Sequence, residues 1–253
     1  MIVLINYANA IFKDSQKLNS ITGKEVGLFD RIVSYSPKDL DETFFNNNRN
    51  IFKQKKGNGY WLWKPYIIKK SLESINDGDY LFYCDSGAYF IDSIRPIIDI
   101  SKDCNLDIIV FELGDLEKMW TKRDAFILMN CDRSKYADSK QRLASFSLWK
   151  KSAFSIEFIN EFLYYAQDER ILTDMDNQCG SANYPGFKEH RHDQSIFSLL
   201  SKTYEIEAFR DPSQWGNDQK QDYPNSSYGQ LIELTRKKND SLLKKLISRI
   251  LLR

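Results

Sequence analysis

The 253-residue chain has only four cysteines and two histidines. Cys84, Cys104, Cys131 and Cys179 make no CxxC pair, and only His190 and His192 could join them. That excludes a zinc site of ordinary spacing and a disulfide framework. Buried free thiols in a reducing compartment are the expectation. No P-loop and no GxGxxG occurs, and Asn6-Tyr-Ala-Asn-Ala10, after the first apolar run, has no glycine to cradle a phosphate. No stretch approaches the roughly 18–20 apolar residues of a spanning helix. The opening Met1-Ile-Val-Leu-Ile lacks the basic region of a signal peptide. A basic surplus is missing too: 36 Lys and Arg stand against 35 Asp and Glu, a net charge of +1. That balance argues against a nucleic-acid partner. A cytoplasmic protein is expected.

What is present suffices for a core, with 42% hydrophobic and 28% charged residues. Ile2 to Ile5 is a short continuous apolar run, as in a strand buried on both faces. Arg31 to Tyr35, Asp79 to Cys84, Leu106 to Phe111, Leu143 to Trp149 and Tyr204 to Phe209 are further strand candidates. Residues 46–59 and 170–190 are expected to be loops, the second long enough to carry function. Helices are expected from Pro65, from a Thr121–Asp124 capping box through Met129, from a Ser152 cap, and over Asp193 to Leu200. Strands alternating with helices predict an α/β fold with a mainly parallel sheet. Ligands of such sheets bind beyond the carboxyl ends of the strands.

Several clusters fall at such ends. Asp85-Ser86-Gly87 closes a very apolar strand. A carboxylate there can hold a hard divalent cation that also takes phosphate oxygens, and Gly87 would allow close backbone approach. A plain turn is the alternative. In Gly57-Asn-Gly-Tyr-Trp-Leu-Trp-Lys-Pro-Tyr66, an extended backbone would put Trp61 and Trp63 on one face. Lys64, before a proline and so biased away from helix, could meet a diphosphate as a point charge. Two core tryptophans and a solvated lysine are the alternative. His190-Arg-His-Asp-Gln194 precedes an apolar helix, where Asp193 is either a cap or a carboxylate facing a reacting sugar, with Gln194 as its neutral partner. Lys122 and Arg123 lie near an expected helix start, which favours phosphate.

Taken together, the chain resembles bacterial GT-A fold glycosyltransferases that build surface polysaccharides and lipopolysaccharide. The resemblance rests on the first strand with Asn6-Tyr7-Ala8, on Gly59 to Tyr66, on Asp79 to Gly87 and on His192-Asp-Gln-Ser-Ile-Phe197. It implies a Rossmann-like, mainly parallel central sheet flanked by helices, over residues 1–235. It also implies transfer from a nucleoside-diphosphate sugar, a UDP-sugar first among them, to a hydroxyl of a growing surface glycan or lipid-linked acceptor. Tyr7, Asp30 and Tyr35 would then lie near base and ribose, together with Asn6, Ala8, Ser86 and Gly87. Asp85 with Mn²⁺ or Mg²⁺ would neutralise the leaving diphosphate, joined by Lys64 and by Lys122 or Arg123. Asp193 would face the anomeric carbon beside Gln194. Trp61, Trp63, Ser145 and Phe146 would meet sugar. The DxD pattern of that fold needs an acid at position 87, which is glycine. Metal binding would then rest on Asp85 and His192, and a metal-independent enzyme stays open.

Two other classes compete. A non-catalytic carbohydrate-binding module would use Trp61, Trp63 and Tyr66 as a stacking platform, and a nucleotidyltransferase would use a similar sheet. The last 18 residues, 236–253, read as a basic amphipathic helix, with Leu242, Leu243, Leu246, Ile247, Ile250 and Leu251 on one face. They hold seven cations and one acid, a net of +6, which leaves −5 on the other 235 residues. Such a helix suits an anionic membrane surface, so peripheral attachment is expected there.

Overall fold

The computed structural model describes residues 1–235. Residues 236–253, with the expected amphipathic helix, lie outside the described residues. A six-stranded sheet carries the fold in the order β2-β1-β3-β6-β5-β7. The strands are β1 (Ile2–Tyr7), β2 (Arg31–Tyr35), β3 (Tyr80–Cys84), β5 (Ile108–Leu116), β6 (Lys140–Lys150) and β7 (Ala208–Arg210). β1 pairs in parallel with β2 and β3, and β5 with β7, while β6 runs antiparallel between β3 and β5. A two-stranded sheet pairs β4 (Ala88–Phe90) with β8 (Ile232–Leu234). The expected α/β fold with a mainly parallel sheet is what the chain adopts.

Continuous apolar runs make sense because both faces are covered. Val3, Ile5, Leu81 and Tyr83 point to one core, under the helices Trp63–Glu73, Ala153–Ala166 and Asp193–Thr203. Leu4, Phe82, Cys84, Phe146 and Leu148 point to the other, under helix Arg95–Asp103 and the small sheet. This is the period-two alternation of a strand read in space. Ser152 caps its helix with Ser155 in a reciprocal pair, as expected.

Three local expectations need correction. The Thr121–Asp124 box does not cap helix Arg123–Leu128. Thr121 instead donates to Glu117, and Asp124 accepts from the backbone of Gln178 and Cys179, pinning the long loop. The helix expected at Pro65 starts at Trp63, so Lys64 is helical despite the proline. The loop at 46–59 contains short helical turns, one of them left-handed. Gly57, Asn58, Gly59, Tyr60 and Trp61 all have positive φ, between 50° and 90°. The three that are not glycine cost about 1–2 kcal/mol each. Gly59 is obligatory, because a Cβ there would lie 2.7 Å from the Phe52 ring. Asn58 anchors the turn through its amide, 2.5 Å from the Tyr7 hydroxyl.

Candidate functional site

β1 and β3 end side by side, so Tyr7 and Asp85 come out at the same edge of the sheet. β6 passes the same edge, and the Asp85 N–H donates to the Ser145 carbonyl at 2.9 Å. Two helices bring in the remaining groups. Helix Trp63–Glu73 supplies Lys64 in its first turn, and helix Asp193–Thr203 supplies Asp193 as its first residue.

These three side chains form one cluster. The Lys64 ammonium is 2.6 Å from Asp193 Oδ2, 3.5 Å from Asp85 Oδ1 and 3.1 Å from the Ala144 carbonyl. Three oxygens thus surround the ammonium: it donates to the Ala144 carbonyl and pairs by charge with the two carboxylates. The Lys64 and Asp193 side chains are each 5% exposed, whereas Asp85 is 31% exposed. Burial opposes the charge on Lys64, but Asp193 and Asp85 outweigh it and hold the ammonium above its ordinary range. Burial pushes the Asp193 carboxyl up, Lys64 pulls it back, and it settles at about 6. The Tyr83 hydroxyl donates to Asp85 Oδ1 as well. Among the described residues Asp85 Oδ2 has no partner, so the exposed carboxylate offers one oxygen outward.

The groups around this cluster are packed and hydrogen-bonded to one another. Tyr7 stacks on Trp63 with ring centres 3.8 Å apart, and the Trp63 indole donates to the Gly57 carbonyl. Ser86 donates to the Tyr7 carbonyl at 2.6 Å. Gln194 donates to Gln141 at 2.8 Å and accepts from the Ala144 N–H at 3.3 Å. Gln141 in turn donates to the fully buried Glu117, which holds Lys202 at 2.6 Å. A polar chain therefore fixes the Gln194 amide from the core outward.

The sequence-derived residues divide clearly. Asp85, Lys64, Asp193, Ser145, Gln194, Tyr7 and Ser86 come together at this edge. Asp30 does not: it precedes β2 and accepts from the Ile2 N–H, at the amino ends of the strands. Asn6 is fully buried and shares its amide among Asn19, Ser20 and Gln16. The Ala8 N–H donates to the Tyr35 carbonyl, and the Tyr35 hydroxyl is buried against Ser71. Phe146 lies in the opposite core. Lys122 is buried with its ammonium on the Thr173 and Met175 carbonyls, and burial lowers its affinity for a proton. Arg123 pairs with Asp132 at 2.8 Å and stacks on Tyr184. Neither cation faces the cluster. Trp61 and Trp63 do not share a face, since the left-handed turn intervenes: Trp63 packs on Tyr7, Trp61 on His192, and Tyr66 on Phe44.

Asp85 and His192, expected as paired metal ligands, stand in different surroundings. His192 donates through Nδ1 to the Leu172 carbonyl at 2.9 Å, and its buried Nε2 lies 3.7 Å from Asp174. Burial lowers its pKa to about 4, so the ring is neutral. Asp174 already holds Lys56 at 2.9 Å. Among the described residues no three His, Cys, Asp or Glu side chains gather to hold a metal by themselves. What fits a divalent cation is a single carboxylate oxygen, Asp85 Oδ2, with phosphate oxygens completing the shell.

Sequence reasoning missed Tyr83, Asn58, Asp174 and the Gln141–Glu117 chain. Tyr83 had a signal: two residues before Asp85 on a strand, it shares that residue's face. Asn58 had one as well, because asparagine between glycines tolerates positive φ. The pairings of Asp174 and Glu117 span from 18 to 118 residues of sequence and leave no local trace.

No family model matches the chain, and neither does any curated protein. Solved structures do. Mouse xyloside xylosyltransferase 1 in its apo form is similar over 92% of this chain and 97% of its own, with 9% identity and a TM-score of 0.51. The galactosyltransferase LgtC, in complex with donor and acceptor sugar analogs, covers 99% of this chain and 94% of its own at 12% identity, with a TM-score of 0.48. At such identity the xylosyltransferase likeness is one of fold: a mixed, mostly parallel sheet between helices, of the GT-A type.

Proposed function

We propose that this protein is a glycosyltransferase that moves a sugar from a nucleoside-diphosphate sugar, tested first as a UDP-sugar, to a hydroxyl of a surface glycan or lipid-linked acceptor. One observation carries the reading: two acids and a buried lysine converge at the carboxyl edge of a GT-A type sheet, where ligands of open α/β sheets bind. Asp193 would face the anomeric carbon. In an inverting course its carboxylate takes the acceptor's proton. In a retaining course it stabilises the oxocarbenium-like state or forms an adduct. Lys64 keeps Asp193 ionised and aimed. Asp85, fixed by Tyr83 and Lys64, presents one oxygen toward the diphosphate. A Mn²⁺ or Mg²⁺ ion bound with the donor would neutralise charge on the leaving diphosphate. Gln194, held by Gln141, would offer a neutral amide to the sugar.

The stacking-platform reading loses support from the separated positions of Trp61, Trp63 and Tyr66. A product assay over a panel of nucleotide sugars with oligosaccharide acceptors tests the proposal. Free nucleoside diphosphate is the expected product. Pyrophosphate release would indicate a nucleotidyltransferase, and no consumption of any donor would sink the reading.

The pH dependence follows from Asp193. Its pKa, raised to about 6, makes the carboxylate fraction grow as pH rises through that value. The turnover number is therefore expected to climb about tenfold in all between pH 5 and 7, most steeply below pH 6. A flat profile across that window would remove Asp193 from the base role.

Attachment to an anionic membrane surface through residues 236–253 is part of the same proposal. Among the described residues no helix is long and apolar enough to cross a membrane. Deleting 236–253 should abolish co-sedimentation with anionic liposomes, and unchanged sedimentation would refute the attachment.

A further inference from the structure

A groove lies beside the catalytic edge, between elements that the cluster does not use. One side is the turn that joins helix Glu42–Asn47 to helix Arg49–Phe52. The other is the end of helix Ala153–Ala166, with the helical turn Glu169–Leu172 and Met175 of the long loop. Its volume is about 980 Å³, at the upper end of the roughly 300–1,000 Å³ usual for ligand sites.

The lining has a distinct chemistry. Asn48 is only 7% exposed, and both its amide protons are taken, by the Phe44 carbonyl and by Gln167 Oε1. Its Oδ1 has no partner among the described residues, which leaves a fixed acceptor on the groove. Asn47 adds an amide with no protein partner among the described residues, as do Asn46 and Asn50 in a recess that shares Asn48 and Gln167 with the groove. An amide both donates and accepts. Apolar surface is present as well, since Tyr164 is 70% exposed and Met175 41%. The charges cancel: Asp168 grips Arg170 through both oxygens, and Arg49 stands against Glu169, two cations to two acids.

This set selects among ligands. A phosphate or an anionic headgroup needs a surplus of cations, which is missing. A hydrocarbon chain needs a lining free of unpaired amides. A neutral sugar chain needs what is there: paired donors and acceptors for its hydroxyls, and an exposed ring for its C–H faces. The groove also borders the reacting centre. The Ile171 and Leu172 carbonyls, on its wall, hold His190 and His192, and His192 precedes Asp193. Asp174, next to Met175, holds Lys56 at the start of the left-handed turn. The strip 171–175 is therefore what separates the groove from the Lys64–Asp193 cluster.

We propose that this groove is a second glycan site, which grips a neutral oligosaccharide stretch of the acceptor while its reactive hydroxyl lies at Asp193, across the 171–175 strip. The inference rests on the glycosyltransferase reading above and adds a site away from the nucleotide edge. Such a grip is equal before and during transfer, so it lowers KM and leaves kcat alone. A single sugar does not span the strip and gains nothing from it.

The test begins with binding, on the full chain and without donor. Neutral oligomers of glucose, galactose, mannose, rhamnose and N-acetylglucosamine, from one to eight units, are screened by saturation-transfer NMR and titrated by calorimetry. Oligogalacturonides of equal length serve as acidic counterparts. At least one neutral oligomer is expected to bind, and its longer forms more tightly than the single sugar. Tyr164→Ala should weaken that binding at least about tenfold, and Asn47→Ala by a smaller factor, with melting temperatures unchanged because both side chains are exposed. Asp193→Asn should leave it nearly intact. In the transfer assay, Tyr164→Ala should raise KM for the long acceptor about tenfold while kcat, and transfer to a single sugar, stay as they are. Binding that survives both groove substitutions, or that Asp193→Asn abolishes, would overturn the inference. Tighter binding of the acidic oligomers would overturn it as well. Binding of no oligomer would overturn it and leave the glycosyltransferase reading to the donor assay. Glycan binding that depends on Tyr164, in a protein that consumes no nucleotide sugar, would overturn that reading and the acceptor role with it.

Discussion

Asp193→Asn is expected to lower sugar transfer by about 10³-fold, within the range for loss of a general base or of a charge at the reacting centre. The fold should survive. Asparagine fills the same volume at the start of helix Asp193–Thr203, and Lys64 keeps Asp85 and the Ala144 carbonyl as acceptors. The buried amide can still accept from the Lys64 ammonium. Loss therefore belongs in the turnover number, with donor affinity nearly unchanged. The decisive comparison is with Asp124→Asn, another buried acid, whose work is to receive the Gln178 and Cys179 N–H groups of the long loop. If both variants lose activity and stability together, Asp193 is a structural residue. If Asp193→Asn alone separates activity from melting temperature, it belongs to the chemistry. The acid limb near pH 6 should disappear with it.

Lys64→Met is expected to have the largest combined effect. Methionine matches the aliphatic stem but leaves Asp193 buried and Asp85 nearby without a counter-charge. Breaking a buried ion pair from one side costs about 3–5 kcal/mol. Folding relieves part of that by protonating Asp193, so its pKa should move further up from about 6. Two readouts follow. The midpoint of urea unfolding should fall at pH 8 and recover toward wild type at pH 5, where the uncompensated acid is neutral. Transfer at pH 7 should be lost, because the carboxylate is then largely protonated. Lys64→Arg should restore stability better than activity, since the planar guanidinium cannot reproduce three acceptors placed around an ammonium. A Lys64→Met protein with wild-type stability at pH 8 would show that the cluster is not coupled.

Much of this site was legible from the sequence because its members are announced locally. Asp85 ends the most apolar strand, and Asp193 opens an apolar helix after a polar loop. Strand ends and helix starts in an α/β pattern are where a ligand edge forms. Lys64 was found for a different reason from the one that governs it. Its neighbour Pro65 predicted a non-helical backbone and an ammonium free to meet a diphosphate, whereas Lys64 is helical and buried, with Asp193, Asp85 and the Ala144 carbonyl around its ammonium. Trp61 and Trp63 failed similarly, because period-two spacing assumes extended residues and the chain makes a left-handed turn there. Asp30 misled because a strand has two ends: an acid before β2 lies a strand length from the acid after β3. Lys122 and Arg123 read as phosphate ligands by type, yet the long loop takes Lys122, and Asp132 with the Tyr184 ring takes Arg123. Residue type and local pattern located the edge. They could not say which charges that edge leaves unspent.

The central claim is that the Asp85–Lys64–Asp193 edge receives the nucleotide sugar, and a structure of the protein crystallised with Mn²⁺ and the diphosphate that binds it tests this most directly. The account predicts the diphosphate beside Asp85, with its cation on Oδ2, the nucleoside toward Tyr7 and Ser86, and its terminal phosphate turned toward Asp193. A diphosphate bound at any other edge, or one at this edge that leaves Asp85 uncontacted by cation or phosphate, would contradict it.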